Sequence, residues 1–280
     1  MRLTKPTLPQ VDLDHTYNGL IALADWASVI HALMVRDVRS RFSGDPLGYG
    51  WAFVTPVVWI ASIAIVFNFI GRTVPIFTDA ISFLIAGMLP YTVFRTTISS
   101  TMKSLKQNKN MLYFAQISKL DILIAGAFME FINAITVYVA LVLSNYILFS
   151  NFELADPIGA LFGFSLAWAL GVSFGHLAVA FTEISDATNR VVPILLRPMF
   201  WISGIFFVAN EMPDSVMGFM KYNPLLQAIE IMRDGVFLNY TSRITDVMIP
   251  ILFIVGMNAV AIVVKMHAAN TRSTNTRRIV

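Results

Sequence analysis

Arg95, Glu130, His176 and Arg197 are ionisable side chains placed inside, or at the ends of, long apolar runs. Charge in such a setting is costly, and by default it marks an ion, proton or substrate route. Two plainer uses compete with that reading. The arginines can snorkel to the headgroups, and Glu130 can pair with one of them as a structural bridge. As a set, the four suit a pore that passes an acidic polymer or a phosphate headgroup. Trp59, Tyr91, Phe94, Trp168 and Trp201 lie in or near the same runs, away from an obvious interfacial belt. Aromatic faces stack on the apolar faces of sugar rings, which makes these five candidates for a saccharide path. Contact with lipid or with neighbouring helices is the commoner use of such residues.

Other chemistries lack their parts. No cysteine occurs among 280 residues, which removes disulfides, Cys-ligated zinc and thiol nucleophiles. Gly44, Gly48 and Gly50 are not followed by the Lys and Ser/Thr that grip phosphate and magnesium, so the chain is not expected to hydrolyse ATP by itself. His15, His31, His176 and His267 are scattered, without metal-ligand spacing. No nucleophilic triad and no carboxylate pair stands out. The expectation is therefore no catalytic residue, no metal, no cofactor bound by this chain and no nucleic-acid partner. A membrane enzyme acting on lipid-linked sugars would have to rely on Glu130, and a secondary transporter would move its cargo alone on an ion gradient.

The elements that must position these residues are membrane spans. Mean hydropathy is +0.68, hydrophobic residues make up 56% and charged residues 13%, against about 25% charged in a soluble domain. A span takes about 20 mainly apolar residues, and six segments qualify, at 51–70, 81–99, 122–149, 157–182, 191–209 and 247–265. If the chain starts in the cytoplasm, fourteen Lys and Arg fall inside, including Arg36, Arg39, Arg41, Lys103, Lys106, Lys109 and Lys119. Four fall outside, at Arg72, Lys221, Arg233 and Arg243. This bias predicts that both termini are cytoplasmic. The polar stretch 1–25 has no apolar core of a cleavable signal, which leaves the first span as the targeting signal.

Three pieces outside the spans stand out. In 25–42, Trp26, Val29, Ile30, Leu33, Met34 and Val38 recur at helical spacing, with Arg36 and Arg39 off the stripe; this predicts an amphipathic helix on the inner leaflet or packed under the bundle. The stretch 101–121 is basic and longer than a turn between spans requires, which suggests a partner contact. In 210–245, Pro213 opens one short helix, and Asn223 with Pro224 caps a second along Leu225, Leu226, Ile229 and Met232, ending at Gly235. Two short half-apolar helices predict a re-entrant or interfacial hairpin, and re-entrant backbone points to a nearby pathway. Pro193, Pro198 and Gly204 break up the fifth span and make it a candidate lining or gate element.

Four motifs together resemble the type-2 ABC transporter permeases that export cell-surface polysaccharides, most closely the capsular permeases of Gram-negative bacteria. They are Arg36-x-x-Arg39-x-Arg41-Phe42 leading to Leu47-Gly48-Tyr49-x-Trp51 and Pro56; the basic segment ending in Ile117-Ser118-Lys119-Leu120-Asp121; Ser203-Gly204-Ile205-Phe206-Phe207 followed by Met212-Pro213; and Tyr222-Asn223-Pro224-Leu225 with Glu230-x-x-Arg233-x-Gly235. The resemblance implies an all-α integral membrane protein with six transmembrane helices, an N-terminal amphipathic interface helix and re-entrant outer helices before the last span. It implies one transmembrane domain over 1–280, divided into a cytoplasmic tail at 1–24, the interface helix at 25–43, the spans within 51–265 and a second tail at 266–280. It implies a homodimer in the bacterial inner membrane, joined by two copies of a cytoplasmic ABC ATPase that binds ATP and Mg. A lipid-linked polysaccharide would pass between the two permeases to a periplasmic co-polymerase and an outer-membrane exporter. The ATPase-facing surface would then include Arg36, Asp37, Arg39, Arg41, Lys106, Asn108, Asn110, Lys119 and Asp121, the last two where the family often has Pro. The substrate path would draw on the five aromatics with Arg95 and Arg197, and the re-entrant helices would carry Pro213, Asn223, Pro224, Glu230 and Arg233. An O-antigen, teichoic-acid, lipid or drug permease of the same fold is the nearest alternative.

Overall fold

The computed structural model describes residues 13–42, 48–74, 76, 78–114, 117–149 and 154–277. Among them the secondary structure is helical throughout: α1 (Leu13–Phe42), α2 (Trp51–Phe69), α3 (Ala80–Gln107), α4 (Lys119–Phe149), α5 (Pro157–Thr182), α6 (Thr188–Ile202), α7 (Asp214–Met220), α8 (Pro224–Val236) and α9 (Met248–Arg277). Short 3-10 turns lie at Gly48–Gly50, Lys109–Tyr113 and Ala209–Glu211. Five helices, α2, α3, α4, α5 and α9, are long and apolar enough to cross a membrane.

The bundle is built around α3 and α5. In its most apolar stretch α3 is 78% buried, α5 50% and α4 44%, whereas α2 and α9 are each 11% buried and lie at the periphery. Helices in lipid gain little from apolar burial alone, so they associate where small residues let backbones approach. A methyl group on Gly171 would lie 2.8 Å from the Phe94 carbonyl oxygen of α3, and one on Gly175 would lie 2.8 Å from the Thr101 side chain. The opposite contact of α5 is with α8. A methyl on Gly163 would lie 2.4 Å from Met232 N, and one on Gly235 would lie 2.2 Å from Ala160 N. α8 ends one residue past Gly235, as the sequence suggests, and the missing side chain of Gly235 also admits the start of α5. These pairings run α8 antiparallel to the first two turns of α5.

The segment expected as a fifth span, 191–209, is divided. α6 continues through Pro193 and Pro198 but has only 15 residues, about 22 Å against the roughly 30 Å of a hydrocarbon core. It stops at Ile202, where Gly204 takes the left-handed conformation with φ +81, as a glycine just past a helix end does. Non-helical backbone then runs from Ser203 to Val208, buried except at the half-buried Phe206 and Phe207. Its carbonyls are taken by Arg233, whose guanidinium donates to Phe207 O at 2.8 Å and Ile205 O at 3.2 Å. Arg233 also pairs with Glu230 at 3.1 Å, lies over the Phe83 ring at 4.4 Å, and is 0% exposed. Glu230 accepts a second bond from the Tyr240 hydroxyl. Sequence reasoning counted Arg233 among the outer-side cations; the structure buries it with Gln227 and Glu230 of α8, while Asp234 stays half-buried. Gln227, also 0% exposed, donates to Lys221 O at 2.6 Å and accepts from Asp246 N at 2.8 Å. The cap at the other end matches expectation: Asn223 accepts from Leu225 N and Leu226 N and donates to Ile202 O at 3.0 Å, tying the start of α8 to the end of α6.

Two boundaries differ from the sequence reading. α1 begins at Leu13 rather than at 25, and α9 continues through Arg277 past the expected end at 265. Arg233→Met should lower stability by about 3–5 kcal/mol, the cost of stranding a buried carboxylate. The Glu230→Gln, Arg233→Met double variant should lose less than the single one. Thermal unfolding of the detergent-solubilised chain checks this, and equal losses would remove the ion pair from the account.

Candidate functional site

Tyr91 of α3 and Leu196 of α6 bring two helices together, the Tyr91 hydroxyl donating to Leu196 O at 3.0 Å. Phe200 of α6 then meets Tyr91 edge-on at 5.2 Å, Trp59 of α2 at 6.1 Å and Phe206 at 5.2 Å between ring centres. Trp201 lies 5.3 Å from Phe206. These rings wall a cleft of about 880 Å³ between α2, α3, α6 and the 203–208 segment. Arg95 and Arg197 line it together with Arg72. Arg72 bonds Phe206 O at 2.7 Å and lies over Phe67 at 5.0 Å, which closes α2 against the non-helical segment.

Five of the seven path candidates, Trp59, Tyr91, Arg95, Arg197 and Trp201, therefore share one cleft. The other two do not. Phe94 is 2% exposed and packs edge-on against Phe174 in the core. Trp168 donates to Ala127 O at 2.8 Å and lies 4.7 Å from Phe131, pinning α5 to α4. The sequence reading missed Arg72, Phe200, Phe206 and Phe207 on the cleft wall. The quoted motif around Gly204 already contained two of them, but nothing in the spacing said which way they face.

A second, polar cavity of about 940 Å³ lies between α1, α3, α4 and the turn at Lys109–Tyr113. Arg36, Asp37, Arg95, Lys103, Asn108 and Glu130 are among its lining residues. Glu130, expected two turns into a span, is 5% exposed there. Arg36 donates to Asn108 Oδ1, which joins α1 to the 108–118 connection. His176 stands apart: its Nδ1 faces Asn258 Oδ1 at 3.3 Å, and Asn258 donates to Ser173 Oγ at 2.8 Å, linking α5 to α9. The neutral Asn258 escaped a search restricted to charged groups.

The apolar stripe of α1 packs on α4, with Ile30 and Leu33 against Ile122 and Ala125. Asp121 anchors this contact. Its carboxylate accepts from Trp26 Nε1 at 2.9 Å and Ser118 N at 2.8 Å, and Ser118 Oγ accepts from Asp121 N at 3.2 Å, a reciprocal cap on α4. Lys119 lies 3.6 Å from Glu183, between the start of α4 and the end of α5. Arg39, Lys106 and Asn110 are exposed near the same end. The side chain of Arg41 lies outside the described residues. Among the described residues of the 101–121 stretch, α3 runs on to Gln107, a 3-10 turn follows at Lys109–Tyr113, and α4 begins at Lys119.

A family model described as ABC-2 type transporter matches residues 28–237. The chain belongs to the ABC-2 type transporter family. It is 27% identical over 215 residues to the polysialic acid transport protein KpsM of Escherichia coli, covering 76% of this chain and 83% of that protein. It is 24% identical over 220 residues to the capsule polysaccharide export inner-membrane protein BexB of Haemophilus influenzae, covering 77% and 82%. With the O-antigen export system permease protein RfbA of Klebsiella pneumoniae it shares 22% identity over 211 residues, covering 74% and 78%. The ABC-2 match begins within α1 and ends one residue past α8. It thus takes in the cleft, the polar cavity and the Glu230–Arg233 pair, with Tyr240 just beyond it.

Asp121→Ala removes the cap and the Trp26 partner together. It should cost about 1–2 kcal/mol at the α1–α4 contact, seen as faster amide exchange over 26–37. Trp26→Phe, which removes the indole donor alone, should give a smaller rise in the same residues. Unchanged exchange in both would detach α1 positioning from Asp121.

Proposed function

We propose that this chain is the membrane-spanning subunit of an ATP-driven exporter that carries a lipid-linked capsular polysaccharide across the bacterial inner membrane. The match over 28–237 carries the reading, together with relatives named for capsule polysaccharide export. Two copies of the chain form the channel, and two copies of a separate ABC ATPase bind ATP and Mg beneath it. The largely uncovered α2 supports a second copy on that side, and the cleft of α2 and α6 then faces the dimer axis.

In this reading α6 and the non-helical 203–208 segment together form the fifth of six spans. α7 and α8 are the re-entrant hairpin, held inside by the buried Gln227, Glu230 and Arg233 of α8. With Arg233 buried, the outer side keeps three of the Lys and Arg assigned to it, which sharpens the charge bias for cytoplasmic termini. The ATPase docks on the α1–α4 junction, where Arg36, Arg39, Lys106, Asn110 and Lys119 gather. A periplasmic co-polymerase and an outer-membrane exporter receive the polymer. The similarity to an O-antigen permease makes that cargo the second reading.

Tagged chain purified from its native membrane should bring down a stoichiometric ATPase carrying its own phosphate-binding loop. Active protein that purifies without one would reject the reading. Charge reversal at Arg36 and Arg39 should release the ATPase, and retention of both ATPase and export would move the docking surface elsewhere. Trp59→Ala, Tyr91→Ala and Trp201→Ala combined should cut surface polysaccharide at least about tenfold in a stably inserted protein, the loss of several stacking contacts. Glu130→Gln should keep export; loss of all turnover, ATPase unaffected, would favour the membrane-enzyme reading.

A further inference from the structure

Away from the cleft, at the end of the bundle where α3 begins and α4 finishes, Ser82 is held from two sides. Asp79 caps α3, its Oδ2 accepting from Ser82 N at 2.9 Å. Asn145, in the last turns of α4, donates from Nδ2 to Ser82 Oγ at 2.7 Å. Both heads therefore lie at the first turn of α3, and each keeps a second oxygen. Asp79 Oδ1 and Asn145 Oδ1 are closed to solvent, and neither has a hydrogen-bond partner. Ser82 is 1% exposed and Asn145 3%. Leu143, Ser144, Tyr146 and Ile147, the neighbours of Asn145 on α4, are all exposed, so the amide is what this helix end turns inward. Arg72, the nearest cation in sequence to Asp79, is turned to Phe206 O and the Phe67 ring instead. Enclosed acceptors of this kind require a donor or a cation. A bridging water would donate to both oxygens but leave the charge of the carboxylate in place. The start of α3 offsets about half a charge, and a cation supplies the rest.

We propose that Asp79 Oδ1, Asn145 Oδ1 and the second lone pair of Ser82 Oγ form a site for a hard monovalent cation, sodium by class, between α3 and α4. Hard cations take oxygen donors, and charge count among the ligands sets which ion binds. One carboxylate with two neutral oxygens balances a single charge. Calcium gathers about six to eight oxygens, and the single carboxylate here would leave half of its charge uncompensated. The serine hydroxyl has a lone pair to spare after accepting from Asn145. A bound ion would join the start of α3, the most buried helix, to an end of α4 that otherwise faces outward. The site stands apart from the export reading and from the cleft.

The test measures binding of radioactive sodium to the full chain in zwitterionic nanodiscs, against choline at equal ionic strength. The chain should bind sodium saturably, and sodium should raise its Tm over choline by about 2–4 °C. Asp79→Asn keeps a good N-cap but removes the charge. It should weaken sodium binding at least about tenfold, the scale of one charged contact, and its Tm should no longer respond to sodium. Asn145→Asp adds a second carboxylate and should turn the preference to calcium. Calcium should then stabilise that variant and not the unaltered chain, a response that a merely structural amide would not give. Asp156→Asn removes a similar cap from the exposed start of α5 and should change neither ion's effect. Equal melting in sodium and choline, with no saturable binding, identifies a bridging water and overturns the proposal. Sodium binding untouched by Asp79→Asn overturns it too, as does tighter binding of calcium than of sodium by the unaltered chain. The assay needs neither ATPase nor cargo, so such a result leaves the exporter reading standing.

Discussion

A guanidinium without exposure to solvent holds the junction of α6, α8 and the 203–208 segment together. Where α6 stops at Ile202, six residues of backbone lose their helical partners in a mostly buried region. Each unsatisfied carbonyl there is expensive. Arg233 answers two of them and is neutralised by Glu230, which in turn is tied by Tyr240. From the other side Arg72 takes the carbonyl between them, Phe206 O. Consecutive carbonyls at 205, 206 and 207 are thus held by two arginines from different parts of the chain. The non-helical segment, and the rings of Phe206 and Phe207 it carries, stay in place because of this.

The same network explains why α8 packs so closely on α5. A helix that buries a charge pair and a glutamine must exclude water from them, and Gly163 and Gly235 let the two backbones meet. Close packing keeps the local dielectric low, which strengthens the Arg233 bonds. The bonds in turn fix the rotation of α8 so that its glycine faces α5. Charge and packing here support one another, and removing either exposes the other.

Against this rigid centre, α2 is loosely held. It touches the rest of the chain through aromatic edges at Phe200, the Arg72 latch and a few apolar contacts, while most of its surface faces outward. The cleft lies along that seam, so its width follows from the least-buried helix of the bundle. At Arg95 the cleft adjoins a polar cavity lined in part by α1, which is itself tied down by Trp26 and Arg36. A movement at α1 therefore has a direct mechanical path to the cavity and, through Arg95, to the cleft.

Much of this protein was legible in the chain because the relevant physics is local. Apolar runs of about 20 residues mark spans whatever they pack against, and the stripe on α1, the Asn223–Pro224 cap and the stop at Gly204 depend on near neighbours in sequence. The four motifs, in order, sufficed to suggest the family. Other features depend on distant partners and could not be read that way. Phe94 and Trp168 have the same composition signal as Tyr91 and Trp201, yet two point into the core and two into the cleft, a matter of helix rotation set by the α3–α5 contact. Arg233 resembles a loop cation in sequence, and only the backbone gap at 203–208, about 26 residues away, gives it a buried role. Asp121 read as a docking charge until α1 folded back to present Trp26. Sequence determined which segments must leave water; the tertiary structure decided which polar groups went with them, because a buried charge is stable only where another part of the chain supplies its partners.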